Sequence, residues 1–397
     1  MAPLSEEEKS DLINRVLHAL SETPYACSSL TQLTNGTTNF VFRGQLVHPI
    51  RHIRGEGNED DTTASTVIVK HSLEHAALNK NLPIDGSRTL YEVSMLSSLN
   101  ELPSSTLGVE TPRLHLFIRD MNIQVLEDFP DVDDLKNVLV LSAGKQTLTA
   151  QVATSIGHTI GAWLRSFHNW AIVSNTKFKD FGDNGSMRKL KYAITYGAYL
   201  DVLESSFPDL LEGYRLPLHQ VKELAMKEFD HPSNDRFTDK NWGLIHGDFW
   251  SGNILLSSHL LHHLPQSISN EKLFVVDWEF VQFGHRAYDI GQMIGDLYER
   301  WLFRGVEGAI PMIEGFIEGY GQLENDEFAF RIAIHAGVHL IGWYIRRAPG
   351  SPLGFPLDLV TDAMRTGRDW ISKGWQKDKK YFENTPLARL FSRGGVR

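Results

Sequence analysis

Cysteine is almost absent from this sequence, which has one residue of that type, Cys27, among 397. A single thiol cannot form a disulfide within the chain or supply a zinc site built on several cysteines, and both exclusions suit a reducing compartment. The first residues, MAPLSEEEKS, are acidic and polar and lack the basic and apolar regions of a secretory signal. No apolar run reaches about 18 residues, so we expect no membrane span and predict a cytoplasmic protein.

An excess of basic charge is also lacking. The 39 lysines and arginines face 49 acidic residues, which gives a formal net charge of −10. Because proteins that bind nucleic acid usually present a basic patch, we expect no nucleic-acid partner. The apolar share of 42% and the charged share of 22% are ordinary for a globular protein, and the length suffices for two domains. The sequence leaves the oligomeric state open.

Hydrophobic patterning divides the chain into a β-rich first third and a helical remainder. Ser5, followed by three glutamates and then an apolar stripe, predicts the start of a helix. The β-branched run Thr66–Lys70 predicts a buried strand, whereas Gln151–Trp170 has the periodicity of an amphipathic helix. This order predicts two lobes with a joint near Glu127–Pro130.

The stretch Ile245–Asn253, IHGDFWSGN, lies between two apolar runs and is also compatible with an ordinary pair of turns. Asp248 and Asn253 lie five positions apart within it, and Asp277 closes the later apolar run LFVVD. Neighbouring strands could bring these three side chains together. Hard cations such as Mg²⁺ prefer oxygen ligands of this kind, so the set favours a magnesium site over simple turns.

The same residues occur in the order used for phosphoryl transfer. In that chemistry an Asp accepts the proton of the attacking hydroxyl, an Asn five positions later binds metal, and a later Asp binds the metal that bridges the phosphates. Upstream, Lys70 ends a predicted strand and Glu92 lies on the following helix, where the pair could bind nucleotide phosphates. Ordinary alternatives are a snorkelling lysine and a solvated helix face.

A turn near the start of the sheet is suited to cover phosphates with backbone N–H and hydroxyl groups. The turn contains a single glycine, so the prediction depends on its position before Lys70 and Glu92 and not on a glycine-rich motif. An ordinary hairpin turn is the alternative. The residues of this turn are Asn35, Gly36, Thr37, Thr38 and Asn39.

The strings HGDFWSGNILL and VVDWEFVQFGHRAYDIG resemble the aminoglycoside phosphotransferase and choline kinase superfamily. The D-x-E form at Asp277–Glu279 is most similar to methylthioribose kinase and the fungal hydroxytryptamine kinases. The resemblance implies an α+β, protein-kinase-like bilobal fold, with ATP as phosphoryl donor and Mg²⁺ as cofactor. It implies that residues 1–128 form a nucleotide-binding lobe with an N-terminal helix and an antiparallel sheet. Residues 129–397 would form a mainly helical lobe that carries catalysis and acceptor binding.

The resemblance also implies a role for each matched position. Asp248 would be the catalytic base, Asn253 and Asp277 metal ligands, and Lys70 and Glu92 the ion pair at the nucleotide. Glu279 would be a further metal ligand, with a hydrogen bond to the backbone as its alternative, and Asp289 of D-I-G would brace the catalytic loop. The adenine-binding hinge would consist of Val125, Leu126, Glu127 and Asp128.

The acceptor is the least determined part of the prediction. Residues after the metal strand would line the acceptor pocket, where rings and acids suit a cationic amine, although an ordinary helix also explains them. These residues are Trp278, Asp296, Glu299 and Trp301. We therefore rank an amine-bearing or aromatic alcohol first, methylthioribose second and an aminoglycoside third. The arginine pair Arg346–Arg347 comes later than expected for a methylthioribose kinase, and a catalytically inactive kinase-like binding module is the alternative of another class.

Overall fold

The chain folds into two compact units. The first comprises Met1–Glu101 and Thr111–Pro130, and the second comprises Leu102–Glu110 and Asp131–Arg397. The division into lobes after residue 128 stays a prediction. A computed structural model describes residues 3–33, 36–51, 63–102, 108–143, 148–173, 184–230, 239–258, 272–347 and 351–391.

Strands dominate the first unit and helices the second. The strands are β1 Cys27–Gln32, β2 Phe40–Arg51, β3 Thr63–His71, β4 His75–Ala76, β5 Asn79–Pro83, β6 Val109–Glu110, β7 Leu114–Ile118, β8 Ile123–Glu127, β9 Val132–Asp134, β10 Trp242–Ile245, β11 Ile254–Ser257, β12 Leu273–Val275 and β13 Gln282–His285. The helices are α1 Glu6–Leu20, α2 Arg88–Leu99, α3 Leu135–Ser142, α4 Ala150–Val173, α5 Gly185–Ile194, α6 Tyr199–Ser206, α7 Arg215–Asp230, α8 Ala287–Arg304, α9 Ala309–Tyr320, α10 Asp326–Arg346, α11 Leu357–Trp375 and α12 Lys379–Phe382.

The first unit is an antiparallel sheet with a helix packed on it. Ser5 and Glu8 form a capping box that starts α1, and Leu12, Val16 and Leu20 form the apolar stripe predicted there. These side chains share one core with strand residues of β2, β3 and β8. The sheet has the order β1-β2-β3-β8-β7, and every neighbouring pair of strands is antiparallel.

Two short sheets and a group of closely packed helices form the second unit. Strand β10 pairs with β13, and a separate sheet has the order β6-β12-β11-β9. Helices α4 and α9 approach through glycines: a Cβ on Gly157 or Gly161 would lie 2.1 Å from a backbone oxygen of α9. Only glycine permits such close contact between helix backbones. The predicted class, α+β with an antiparallel sheet followed by a mainly helical remainder, is confirmed.

Helix α10 has unusual length and hydropathy. Among the residues that the structure describes, it is the one helix long and apolar enough to cross a membrane, and 78% of its apolar 18-residue stretch is buried within the protein. It packs against α8 and α11. The core helix of a globular protein meets the same test of length and composition.

Candidate active site

A loop of residues 246–253, named here the Asp248 loop, joins β10 to β11. Asp289, in the first turn of α8, accepts hydrogen bonds from the backbone N–H groups of His246 at 2.8 Å and Gly247 at 2.9 Å. Since carboxylates bind backbone N–H groups strongly, this residue fixes the start of the loop. These are the contacts expected of the bracing residue that the resemblance implies.

A histidine also contacts the Asp289 carboxylate. His168 Nε2 lies 3.1 Å from the Asp289 carboxylate, and Tyr320 lies 3.0 Å from Nδ1 of the same ring. Burial lowers the pKa of His168 to about 4, although the Asp289 charge opposes this shift. The ring is therefore neutral near pH 7, with its Nε2–H donating to Asp289.

Gly247 allows the Asp248 loop to lie directly against the chain beyond β12. Its φ of +81° lies in the left-handed region, and a Cβ at this position would be 2.2 Å from the backbone oxygen of Phe280. Any other residue would meet both a conformational penalty and a clash with backbone. The two chain segments that carry the predicted catalytic and metal-binding residues therefore touch at this glycine.

Four hydrogen-bond donors surround the carboxylate of Asp248, which is 24% exposed. Gln292 Nε2 lies 2.7 Å and Lys191 Nζ 3.3 Å from Oδ1. Trp250 Nε1 lies 3.1 Å and Asn253 Nδ2 3.2 Å from Oδ2. Burial opposes ionisation, but the Lys191 charge and the Gln292 hydrogen bond outweigh it and hold the pKa of Asp248 below its ordinary value. Asp248 is thus a fixed, ionised and partly accessible carboxylate.

Asn253 is oriented by the same loop. Its Nδ2 donates to the backbone oxygen of Asp248 at 2.9 Å as well as to the side-chain oxygen. An amide has two N–H groups and one carbonyl oxygen, so these two bonds use the donors. The Oδ1 atom therefore remains as the group of this side chain that can ligate a cation.

Strand pairing brings Asp277 next to Asn253. Ile254 in β11 pairs with Val275 in β12, and the N–H of Val276 donates to the Asn253 backbone oxygen at 3.0 Å. Asp277 follows directly and has a φ of +68°, which is uncommon for a residue with a side chain. Such backbone strain is concentrated at functional sites in proteins. The convergence of Asp248, Asn253 and Asp277 expected from the sequence is thus present in the backbone.

Glu279, the further metal ligand suggested by the resemblance, lies in more enclosed surroundings. Its side chain is 1% exposed, in contrast to the partly exposed Asp277. Its backbone oxygen accepts a hydrogen bond from Asn184 Nδ2 at 3.0 Å, and Asn184 also donates to Val281. Asn184 thereby fixes the turn that follows the D-x-E motif.

Lys70 and Glu92 form a buried ion pair in the first unit. The Lys70 ammonium lies 2.8 Å from the Glu92 carboxylate, and the two residues are 4% and 2% exposed. Gln124 on β8 donates a further hydrogen bond to Glu92 at 2.9 Å. The snorkelling lysine and the solvated helix face, which were the ordinary alternatives, do not describe these residues.

The structure describes four residues of the predicted phosphate turn, Gly36 to Asn39, whereas Asn35 lies outside the described residues. The backbone oxygens of Thr37 and Thr38 accept hydrogen bonds from Leu78 and Ala77. Asn39 is 3% exposed, and its Oδ1 accepts from Ser72 and Arg88. The Asn39 side chain therefore stabilises the first unit, and its Nδ2 also donates to the Thr38 hydroxyl at 3.3 Å.

The predicted adenine hinge, Val125 to Asp128, spans the end of β8 and the next residue. Val125 and Leu126 pair with Val69 and Ile68 of β3. Both acidic side chains have partners in the first unit: Glu127 accepts from the Arg113 N–H at 3.3 Å, and Asp128 accepts from Arg43 Nε at 2.8 Å. An adenine ring at this segment would thus meet backbone groups rather than these carboxylates.

The two aromatic residues predicted at the acceptor differ in exposure. Trp278 is 0% exposed, with its ring centroid 4.4 Å from His246 and 5.1 Å from Phe167. Its ring belongs to the core and has no surface for an acceptor. Trp301 is 39% exposed and contacts the ring of Tyr298. Of the two tryptophans, only Trp301 can meet a ligand directly.

The two acidic residues predicted at the acceptor have protein partners instead. Asp296 is 0% exposed, accepts hydrogen bonds from the N–H and Oγ of Ser251, and pairs with Arg300 at 2.7 Å. Glu299 is 4% exposed and pairs with Arg346 at 2.6 Å. Asp296 therefore holds the Asp248 loop at Ser251, and each of the two carboxylates is paired with an arginine.

Asp296, Glu299 and His339 also have the spacing of a metal centre, since their ligand atoms lie within 4.8 Å of one another. Arg300 and Arg346 are hydrogen-bonded to these two carboxylates. Two guanidinium charges at the same position repel a cation and already compensate the acidic groups. The cluster is thus a buried network of ion pairs.

Sequence reasoning missed three residues that contact Asp248. Gln292 follows Asp289 by three residues on α8, and this spacing places both on one helix face, which is a usable signal. Trp250 lies inside the motif itself. Lys191 comes 57 residues before Asp248 and gives no sequence signal, because only the packing of α5 brings it there.

Comparison with known proteins agrees with these motifs. The phosphotransferase FrzJ of a Cladobotryum species is 27% identical over 413 residues, which cover 98% of each chain. The 4-hydroxytryptamine kinase of Psilocybe cyanescens is 27% identical over 289 residues, covering 70% of this chain and 73% of its own. Among solved structures, a GDP complex of a mutant aminoglycoside 2′-phosphotransferase IIIa matches with a TM-score of 0.50 at 14% identity, covering 94% of this chain and 99% of that one.

The structural likeness extends over nearly the whole chain and shows the predicted protein-kinase-like fold. The predicted enzyme class, a phosphotransferase, is confirmed. A model described as "Phosphotransferase enzyme family" matches residues 90–331, which is more than half of the sequence. The chain therefore belongs to the phosphotransferase enzyme family.

Proposed function

We propose that this protein is an ATP- and Mg²⁺-dependent kinase that transfers the γ-phosphoryl group to a hydroxyl group of a small molecule. The observation that carries the proposal is the arrangement of Asp248, Asn253 and Asp277. An ionised, partly accessible carboxylate lies beside an oriented amide, and strand pairing brings the backbone that leads to Asp277 next to Asn253. These are the groups that phosphoryl transfer to an alcohol requires.

The residues present fit a magnesium ion. Asp277 and Asn253 offer a carboxylate and an amide oxygen, which are hard ligands of the kind that Mg²⁺ prefers. The two N–H bonds from Asn253 to Asp248 leave its oxygen for the ion. When bound, the ion would neutralise charge on the phosphates. Glu279 stays a candidate third ligand.

Asp248 would act on the acceptor hydroxyl. It accepts the hydroxyl proton while the acceptor oxygen forms a bond to the γ-phosphorus and the bond from that phosphorus to the leaving ADP oxygen breaks. A carboxylate held in place by fixed donors needs little reorganisation, and positioning of this kind is a main source of rate enhancement. General base catalysis typically contributes about 10²- to 10⁴-fold.

Residues of the first unit would bind the nucleotide. Lys70 is a cation already oriented by Glu92, so it is suited to contact α- and β-phosphate oxygens. Backbone groups of the turn at residues 36–39 would cover the phosphates, and the backbone of residues 125–128 would meet the adenine.

An amine-bearing or aromatic alcohol is our favoured acceptor. The 4-hydroxytryptamine kinase that matches 70% of this chain is named for such a compound. The partly exposed ring of Trp301 is suited to contact an aromatic or cationic group. Glu299 does not contribute a free charge, because Arg346 neutralises it.

A screen of ATP consumption tests the proposal. Purified protein with ATP and Mg²⁺ is mixed with hydroxylated arylamines, thiosugars and aminoglycosides, and ADP release is compared with that of Asp248→Asn. This variant keeps the size of the side chain and removes its basicity. We expect one compound class to stimulate the wild type, with about 10²-fold or greater loss in the variant. Equal ADP release by both proteins across the panel would favour the inactive binding module.

A further inference from the structure

Gln292 and Lys191 lie beside Asp248, and the chemistry above treats them only as two of its four fixed donors. Both are almost fully buried, at 4% and 3% exposure. Lys191 Nζ lies 2.6 Å from Gln292 Oε1, and Gln292 Nε2 lies 2.7 Å from Asp248 Oδ1. Lys191 Nζ also lies 3.3 Å from Asp248 Oδ1, so the three side chains form a closed network of hydrogen bonds that connects α5, α8 and the Asp248 loop.

The polarity of this network follows from Lys191. An ammonium group has three donors and no acceptor, so the atom of Gln292 that faces Lys191 is the amide oxygen. The NH₂ group must then face Asp248, where it meets a carboxylate that only accepts. The ammonium on one side and the carboxylate on the other therefore require the same orientation of the Gln292 amide. Loss of Lys191 would remove one of the two contacts that hold this orientation.

The Asp289 and Gln292 side chains share one face of α8. Asp289 holds the backbone of the loop at His246 and Gly247, and Gln292 holds the carboxylate that follows. The backbone bonds fix where the loop lies, but they leave the side-chain torsions of Asp248 undetermined. The shortest contact to that carboxylate is the one from Gln292.

We propose that Gln292 and Lys191 are positioning residues for the reaction, because they fix the rotamer of Asp248 that faces the acceptor hydroxyl. The inference rests on the proposed function of Asp248 as base. Displacement of a reacting group by about 1 Å can cost about 10²-fold in rate. Loss of Gln292 therefore lowers kcat by about 10- to 100-fold while KM for ATP stays within about twofold, since the effect acts through the base.

Gln292→Glu provides the sharpest test. It keeps the shape of the side chain and the contact to Lys191, but it replaces the donor at Asp248 with a second acceptor. Gln292→Leu removes both contacts, and Gln151→Leu, at an exposed position in the first turn of α4, serves as a matched control. We measure kcat and KM with ATP and the acceptor found in the screen, beginning with 4-hydroxytryptamine, and verify folding by tryptophan fluorescence.

A double-mutant cycle separates positioning from a general structural role. Gln292→Leu is measured in the wild type and in Asp248→Asn, and a residue that acts only through Asp248 has no further effect once the base is absent. Lys191→Met is expected to lower kcat in the same non-additive way. The proposal is supported if Gln292→Leu lowers kcat when Asp248 is present and has no effect on kcat in Asp248→Asn.

Two results would overturn the inference while the proposed function stands. These are wild-type kcat in Gln292→Glu, and an equal loss from Gln292→Leu in both backgrounds. Wild-type turnover in Asp248→Asn itself would overturn the proposed function and this inference together. Turnover of the single Asp248→Asn variant therefore distinguishes failure of this inference from failure of the proposed function.

Discussion

Lys70→Met changes a charge pair in the first unit that is almost inaccessible to water. Lys70 and Glu92 are 4% and 2% exposed, and their charged groups lie 2.8 Å apart. Removal of the ammonium leaves a desolvated carboxylate beside the neutral Gln124 donor. Breaking a buried pair from one side typically costs about 3–5 kcal/mol. We therefore expect the first unit of this variant to open far more often than that of the wild type.

Hydrogen exchange is the suitable measurement for this prediction. All nine tryptophans lie at or beyond residue 163, in the second unit, so their fluorescence does not monitor the first. Exchange of backbone amides in β3, β8 and α2 is followed by mass spectrometry. A loss of about 3–5 kcal/mol corresponds to a roughly 100-fold or greater rise in exchange through opening of this unit.

The double variant Lys70→Met/Glu92→Gln separates stability from function. It removes both charges and keeps a neutral side chain beside Gln124, so most of the protection against exchange should return. ATP-dependent turnover should stay absent, because the cation at the phosphates is missing. Wild-type exchange in Lys70→Met would refute the reasoning from the buried charge. Recovery of turnover in the double variant would refute the nucleotide role of Lys70.

Three further predictions concern other positions. Gly247→Ala should lower kcat by about 100-fold, because its Cβ would lie 2.2 Å from the Phe280 oxygen; unchanged kcat at saturating ATP would contradict the close approach. Asp296→Ala removes the nearest partner of the Arg300 guanidinium, which keeps the longer contact to Glu299 at 3.6 Å, and also removes the acceptor of Ser251. It should destabilise the second unit by about 1–3 kcal/mol, measured by tryptophan-monitored urea unfolding, and an unchanged midpoint would argue against the ion pair. Burial lowers the pKa of His71 to about 4, whereas the same group in the unfolded chain has a pKa of about 6.5. Between these two pH values the unfolded chain binds a proton that the folded unit does not. The first unit should therefore lose stability as pH falls from 6.5 towards 4. The free energy of opening, obtained from amide hydrogen exchange corrected for its intrinsic rate, should show this dependence on pH, and His71→Gln should remove it. A dependence that persists in the variant would mean that another group causes it.

The sequence alone was sufficient to predict the α+β class and the phosphotransferase chemistry. Helix α1 could be predicted because its cap and apolar stripe are local features of Ser5–Leu20. The pairing of Lys70 with Glu92 could be predicted from their order on a strand and the next helix. Asp248, Asn253 and Asp277 could be selected because their spacing is set by one loop and one strand pair.

Several side chains could not be assigned from sequence, because their surroundings come from distant segments. Asp296 and Glu299 resemble exposed acids on a helix, but Arg346, 47 residues after Glu299, neutralises one of them, and Ser251 donates to the other. Trp278 lies beside the metal motif, yet it is buried against α4 and His246.

Residue type, order and local spacing thus determined the fold class and the reactive groups of this protein. Tertiary structure decided which polar groups face solvent and which are paired inside, as Lys191 and Gln292 beside Asp248 show. The physical reason is that a buried charge needs a partner, and the partner can come from any segment that packing brings within hydrogen-bond distance. Packing between helices depends on the whole chain, and local sequence does not encode it.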